Sequence, residues 1–131
     1  MERRIRVLLT KPTHDCHDRG VRHLARRLRD GGFEVIFINF LLAQEIVDAA
    51  IQEDVDVIGV SSSSGGHMVV FQDLMQGLQR AGVDDMLVIG GGVIPDEDAR
   101  ELQTLGVKRI FGPGSSAESL VTFIQENAAT S

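Results

Sequence analysis

The sequence predicts an α/β fold: a five-stranded, all-parallel sheet of strand order 2-1-3-4-5 with helices on both faces. Three observations predict it. Short, mostly apolar runs alternate five times with stretches of helical periodicity. The turns between them are rich in Gly, Pro and Ser, and the runs are apolar enough to be buried on both faces. At 131 residues, with no linker and no low-complexity tract, the chain reads as one domain spanning residues 1–131.

Residues 5–10 read as a buried first strand. Residues 11–19 are a polar loop in which Pro12 excludes helix continuation. From Gly20 the period changes: Val21, Leu24, Ala25 and Leu28 share one helical face, arginines lie opposite, and Gly31-Gly32 stops the helix. Residues 34–39 are the second strand. Residues 43–53 are the second helix, with Ile46, Val47, Ala50 and Ile51 inward. The third strand, 55–61, runs into Ser62-Ser63-Ser64-Gly65-Gly66; a helix over about 68–81 follows, with Val70, Leu74 and Leu78 four apart. The fourth strand, 86–89, ends in a Gly90-Gly91-Gly92 loop. Pro95 then opens a helix to about residue 105, a position proline favours because its missing N–H has no intrahelical partner there. Residues 108–111 make the fifth strand, Gly112-Pro113-Gly114 turns the chain, and 115–127 form the last helix.

For five such units the flavodoxin-like (Rossmann-like) order 2-1-3-4-5 is the common solution, and its topological switch point lies between strands one and three. The loops leaving those strands, 11–19 and 62–66, are the two most unusual stretches of the chain. Together with Gly90–Gly92 and Gly112–Gly114 they emerge at the carboxyl edge of the sheet, where one ligand can touch all four.

Composition narrows the class. Hydrophobic residues make up 43% and charged residues 24%, ordinary for a soluble globular protein. No apolar run approaches the ~20 residues of a membrane span, and the N-terminus lacks the apolar segment of a secretory signal. A lone cysteine makes a reducing cytoplasm the expected compartment. Residues 1–30 hold nine Lys/Arg against four Asp/Glu, a balance of +5 within a net charge of −6, so the remainder carries −11. Arg22, Arg26 and Arg29 lie along one helix face. The chain has no Trp or Tyr and only six scattered Phe, which argues against nucleic acid. A solvated face explains these arginines, with docking of an acidic protein as the alternative.

The loops suggest binding. A turn before Pro95 needs one glycine, not three, so Gly90-Gly91-Gly92 suggests a group lying against the backbone. The Ser61–Ser64 run has N-capping as its simpler explanation. A phosphate cradle competes, but the Walker A and dinucleotide fingerprints are absent. Asp15 and His17, two apart in a loop, can meet; a carboxylate holding one imidazole nitrogen leaves the other free as ligand or base. Taken alone, the pair is a weak signal, and a loop hydrogen bond is the better explanation of it. A tetrahedral His14-Asp15-Cys16-His17 metal cluster is set aside because four consecutive residues cannot readily wrap one ion. Nucleophilic catalysis by Cys16 with His17 lacks recognisable partners.

Three segments, in order and at matching positions, carry a resemblance: Asp15-X-His17-X-X-Gly20, a serine after the third strand, and Gly91-Gly92 after the fourth. Together they resemble the three-part pattern of cobalamin-binding domains, over about residues 4–127. The chain is most similar to the small subunits or C-terminal domains of coenzyme-B12-dependent acyl-CoA mutases: methylmalonyl-, isobutyryl- and 2-hydroxyisobutyryl-CoA mutases. His17-Asp18-Arg19-Gly20, Ala50-Ile51-Gln52-Glu53-Asp54 and Gly91-Gly92-Val93-Ile94-Pro95 are the family-like segments.

The resemblance implies adenosylcobalamin bound base-off, its nucleotide tail threaded into the domain and His17 in the lower axial position of cobalt. Asp15 would orient His17, and Cys16, Asp18, Arg19 and Gly20 would complete the loop against the cofactor. Ser61, Ser63, Gly91 and Gly92 would line the tail pocket, with Phe111, Gly114 and Ser115 on its far side. The partner implied is a large TIM-barrel subunit that binds the acyl-CoA, where homolysis of the cobalt–carbon bond starts a radical rearrangement. This chain alone would be inert.

Three departures stand out. Ser63 sits where the family's Ser-X-Leu has leucine. Residues 39–44 lack the usual Thr-Pro step, and Phe40, Leu41 and Leu42 make that loop apolar enough for a subunit contact. Cys16 replaces the usual glycine, and Asp15-Cys16-His17 is similar to the small subunit of glutamate mutase, the alternative assignment. A corrinoid carrier, the other alternative, would carry a helical domain ahead of the first strand, where this sequence has four residues.

Overall fold

The computed structural model describes residues 4–12, 19–62, 66–83, 85–112 and 115–128, with the backbone alone at Arg19. Five strands alternate with five helices: β1 (Arg6–Pro12), α1 (Arg19–Asp30), β2 (Glu34–Phe40), α2 (Ala43–Glu53), β3 (Val57–Ser62), α3 (His67–Ala81), β4 (Leu87–Gly92), α4 (Asp96–Thr104), β5 (Arg109–Phe111) and α5 (Ala117–Asn127). The strands are parallel throughout and run in the order β2-β1-β3-β4-β5, the flavodoxin-like arrangement.

Alternation of side chains across each strand divides the core into two layers. Leu8, Ile58, Val60 and Val88 face one way and meet Ile46 and Val47 of α2, Phe71 and Leu74 of α3, and Leu102 of α4. Val7, Leu9, Val57 and Ile89 face the other way, onto Val21 and Leu28 of α1 and Leu120 and Ile124 of α5. Adjacent residues of β1 thus enter opposite layers, which is why its run is apolar throughout. At the amino edge Arg6 ties β1 to β2 and to the α2–β3 connection: its backbone N–H donates to Asp56 Oδ2 (2.9 Å), its Nε to Glu34 Oε2 (2.7 Å) and its Nη1 to the Glu53 carbonyl (2.6 Å). The hydrogen bond to Glu34 holds the Arg6 guanidinium above its ordinary pKa. The cavity lies at the opposite, carboxyl edge.

Four sequence expectations are corrected. Gly90, Gly91 and Gly92 are the end of β4 rather than a loop, because they pair in register with Val60, Ser61 and Ser62 of β3. Phe40 is the last residue of β2 and is buried; only Leu41 and Leu42 project. Ile51 is 46% exposed while Ala43 is buried, because Ile51 falls a further 100° around α2 from the stripe of Ile46, Val47 and Ala50. Pro95 caps α4 instead of opening it: its ψ is 147°, and its carbonyl accepts the Ala99 N–H at 2.9 Å. The first turn of α4 is then Asp96, Glu97 and Asp98, carboxylates that suit the positive end of the helix dipole. Among the described residues no helix is long and apolar enough to cross a membrane.

Candidate functional site

A cavity of about 470 Å³ opens at the carboxyl edge, between the sheet and helices α1 and α5. Its origin lies in the alternation of β3 and β4. On the face toward α1 and α5 these strands carry Val57 and Ile89 in the buried part, then Gly59, Ser61 and Gly91 toward the carboxyl end. The Leu9 side chain already lies over Gly59, where a Cβ would come within 2.9 Å of it, so it is Ser61 and Gly91, paired one step further along, that leave space unfilled. Leu9 and Ile89 form the floor, Val21 and Leu24 the α1 wall, Ala117 and Leu120 the α5 wall. Gly20, in the first turn of α1, also borders the cavity, and among the described residues nothing would lie within 4 Å of a Cβ there.

The walls are held by local chemistry. Thr10 Oγ1 donates to the Gly59 carbonyl (3.1 Å), joining β1 to β3 beneath the cavity. Ser116 caps α5, its hydroxyl accepting the Ser119 N–H at 3.1 Å, a role short hydroxyl side chains fill well. Phe111 packs edge-on against Phe123, with ring centroids 5.6 Å apart and planes at 74°, and the Arg109 guanidinium lies 5.0 Å from its ring centroid. Lys11, at the end of β1, is buried and donates from Nζ to the Pro12 carbonyl (3.3 Å).

The three consecutive glycines do different work. A Cβ on Gly90 would come within 2.7 Å of Phe71 and Ile110 in the opposite layer, so Gly90 serves packing. Gly92 has φ of +112° and lies against the Ser62 backbone, whose carbonyl accepts the Val93 N–H at 3.1 Å. All three border the cavity, but a Cβ on Gly91 alone would meet only ordinary contact, 3.5 Å from the Phe111 carbonyl.

On the opposite face of the sheet, His67, the first residue of α3, places Nε2 2.8 Å from Asp98 Oδ2 in the first turn of α4. The pair links the two helices that follow β3 and β4. His67 Nδ1 is buried and has no hydrogen-bond partner among the described residues.

Of the residues singled out from sequence, Gly20, Ser61, Gly91, Gly92, Phe111 and Ser115 line this one cavity. Asp15, Cys16, His17, Asp18, Ser63 and Gly114 lie outside the described residues, and Arg19 is described by its backbone alone. Sequence reasoning missed Thr10, Gly59, His23 and Ser116. Gly59 carried a signal, since an isolated glycine within a strand marks close approach to a neighbour or ligand. His23 carried none, sitting on the polar face of a helix. Among the described residues the cavity lining includes no carboxylate and no thiol, and His23 is its one basic side chain. Such a lining can hold a largely apolar group with a few polar atoms, and its volume is that of a small-molecule site.

The B12 binding domain family matches residues 5–121, and the chain belongs to that family. Within it the sequence is homologous to small subunits of acyl-CoA mutases. It is 44% identical over 126 residues to the 2-hydroxyisobutanoyl-CoA mutase small subunit of Aquincola tertiaricarbonis, covering 95% of this chain and 93% of that one. It is 42% identical over 120 residues to the pivalyl-CoA mutase small subunit of Xanthobacter autotrophicus, covering 91% and 80%. The methylmalonyl-CoA mutase of Escherichia coli is 40% identical over 114 residues, and there the match covers 86% of this chain but 16% of the longer one. Among solved structures, a cobalamin-binding protein from Desulfitobacterium hafniense has the same fold, with a TM-score of 0.80 at 22% identity over 97% of this chain and 60% of that one. A receiver domain from Vibrio parahaemolyticus shares the fold at TM-score 0.73 and 13% identity, covering 95% and 90%.

Proposed function

We propose that this chain is the cobalamin-holding subunit of an adenosylcobalamin-dependent acyl-CoA mutase, a single cobalamin-binding domain over residues 1–131 that works in the cytoplasm. The observation that carries the reading is the cavity above Ser61 and Gly91 at the carboxyl edge, in a member of the B12 binding domain family. The fit is steric and chemical. A Cβ at Gly91 would project into the space, and the apolar floor of Leu9 and Ile89 suits a flat aromatic base.

In this reading His17 would hold the cobalt, and Asp15 would accept the N–H of its imidazole, fixing the tautomer that leaves the other nitrogen free for the metal. Cys16, Asp18, Arg19 and Gly20 complete the loop between β1 and α1. Ser61, Ser63, Gly91 and Gly92 border the path of the nucleotide tail, with Phe111, Gly114 and Ser115 at its far side. When bound, adenosylcobalamin supplies a cobalt–carbon bond whose homolysis provides the radical for a carbon-skeleton rearrangement. The chain's own residues bind, orient and exclude water. Substrate binding falls to a large TIM-barrel subunit that brings the acyl-CoA, so this chain by itself is inactive. Leu41, Leu42 and Val93, 71%, 68% and 64% exposed at the carboxyl edge, offer that subunit an apolar surface.

The absorption spectrum of adenosylcobalamin added to the protein tests the reading. The wild type gives a base-off, histidine-ligated spectrum and His17→Ala lacks the ligated species. An unchanged spectrum from His17→Ala removes the ligand assignment. Turnover of an acyl-CoA substrate by this chain without a large subunit removes the division of labour.

A further inference from the structure

His23 is the one basic side chain among the described residues lining the cavity, and nothing in the proposal above uses it. It lies on α1 four residues before Arg27, whose guanidinium pairs with Glu118 in the first turn of α5. Residues four apart share a helix face, so His23 lies on the side of α1 turned toward the start of α5, where Ser115 and Ser116 also border the cavity. The hydroxyls nearby are partly committed: Thr10 donates to Gly59, and Ser116 accepts from Ser119. No hydrogen bond within the described residues engages the imidazole of His23.

We infer that His23 is a specificity-determining contact, donating a hydrogen bond from its imidazole to an oxygen or nitrogen acceptor on the nucleotide tail of the bound corrinoid. The inference rests on the cobalamin reading above. A tail entering this cavity exchanges water for a wall of Gly, Leu, Ile and Phe, and its sugar, phosphate and ring acceptors need donors there. An acceptor left unpaired in such a wall is costly, so one positioned N–H discriminates between ligands that carry the acceptor and ligands that lack it. His23 thereby selects complete, tail-bearing corrinoids over truncated ones. It touches neither the cobalt nor the reacting carbon, so its effect is on which corrinoid is held.

The test is equilibrium binding of two probes to the full-length chain, followed by absorbance: adenosylcobalamin, which has the tail, and cobinamide, which lacks it. Wild type, His23→Val and His23→Gln are compared. Wild type prefers adenosylcobalamin. His23→Val lowers adenosylcobalamin affinity about tenfold, the equivalent of one hydrogen bond, and leaves cobinamide affinity unchanged. His23→Gln, which keeps a donor, recovers part of the loss. Equal losses for both probes overturn the inference, because they report a structural role. So does an unchanged preference in His23→Val. A wild type that binds neither probe, or both equally, removes the underlying reading of the cavity and is distinguishable from either result.

Discussion

The carbonyl oxygen of Ser62 occupies the place where a side chain on Gly92 would begin, and Gly92 has φ of +112°. Gly92→Ala therefore combines a disfavoured backbone conformation with a clash against backbone that cannot swing aside. The conformation alone costs about 1–3 kcal/mol. Urea denaturation should show a loss at or above that range.

Its neighbours should respond differently. Gly91→Ala meets only the Phe111 carbonyl at 3.5 Å, so stability stays within about 0.5 kcal/mol of wild type. Its affinity for adenosylcobalamin falls, because the new methyl enters the cavity. Gly90→Ala reverses that pattern: overpacking against Phe71 and Ile110 costs about 1–3 kcal/mol. Melting and binding measured side by side on the two variants separate packing from ligand contact.

The His67–Asp98 pair should matter for stability more than an exposed ion pair does. His67 is 12% exposed, and Asp98→Ala leaves Nε2 without this partner beside an already unpartnered Nδ1. Leaving such a group unsatisfied costs about 1–3 kcal/mol. Asp98→Asn keeps an acceptor and recovers most of the loss. Equal destabilisation by both variants would mean that the hydrogen bond is not what Asp98 contributes.

Glu45 at the start of α2 accepts the N–H groups of Leu42 (2.8 Å) and Leu41 (2.6 Å) on one carboxylate oxygen. These two bonds, Leu42's the larger influence, hold its carboxyl below the ordinary 4.5. A depressed folded pKa means that the stabilisation is fully present above 4.5 and is lost as pH falls through the lower folded value. Wild type should melt above Glu45→Gln at pH 7, and the gap should close on acidification below 4.5. A gap independent of pH contradicts the assignment.

Leu41→Asp combined with Leu42→Asp should leave the melting temperature unchanged, since both side chains are more than two-thirds exposed. If the proposed division of labour holds, association with a large mutase subunit weakens tenfold or more, as charge introduced into an apolar contact does. Analytical ultracentrifugation of the mixed subunits reads both outcomes.

Much of the fold was legible because its signals are local. The face Val21, Leu24, Ala25, Leu28 of α1 is a period-3.6 pattern, and the runs of β1 and β3 are apolar because both layers claim their residues in turn. Strand ends were less legible. Backbone pairing with Ser61 and Ser62 carries β4 through Gly91 and Gly92, and that depends on a neighbour thirty residues away. Phe40 and Ile51 were misjudged for the same reason, one residue of strand length or one step around a helix deciding burial. In the cavity lining, Ser61 and Gly91 could be picked out by motif and Phe111 by the resemblance, whereas His23 could not. The His67–Asp98 pair on the other face was equally hidden, because its two members come from different helices.

By itself the sequence determined the five alternating units, the strand order expected of them and the family pattern of Asp15, His17, Gly20, Ser61, Gly91 and Gly92. These are matters of periodicity and short-range spacing. Tertiary structure alone decided which of three consecutive glycines faces a cavity, which packs on Phe71 and which yields to the Ser62 carbonyl. It also decided that Ser61 and Gly91 pair on one face, between two helices that leave the space above them open. A side chain's direction follows from strand phase, but what it meets there follows from the register of the sheet.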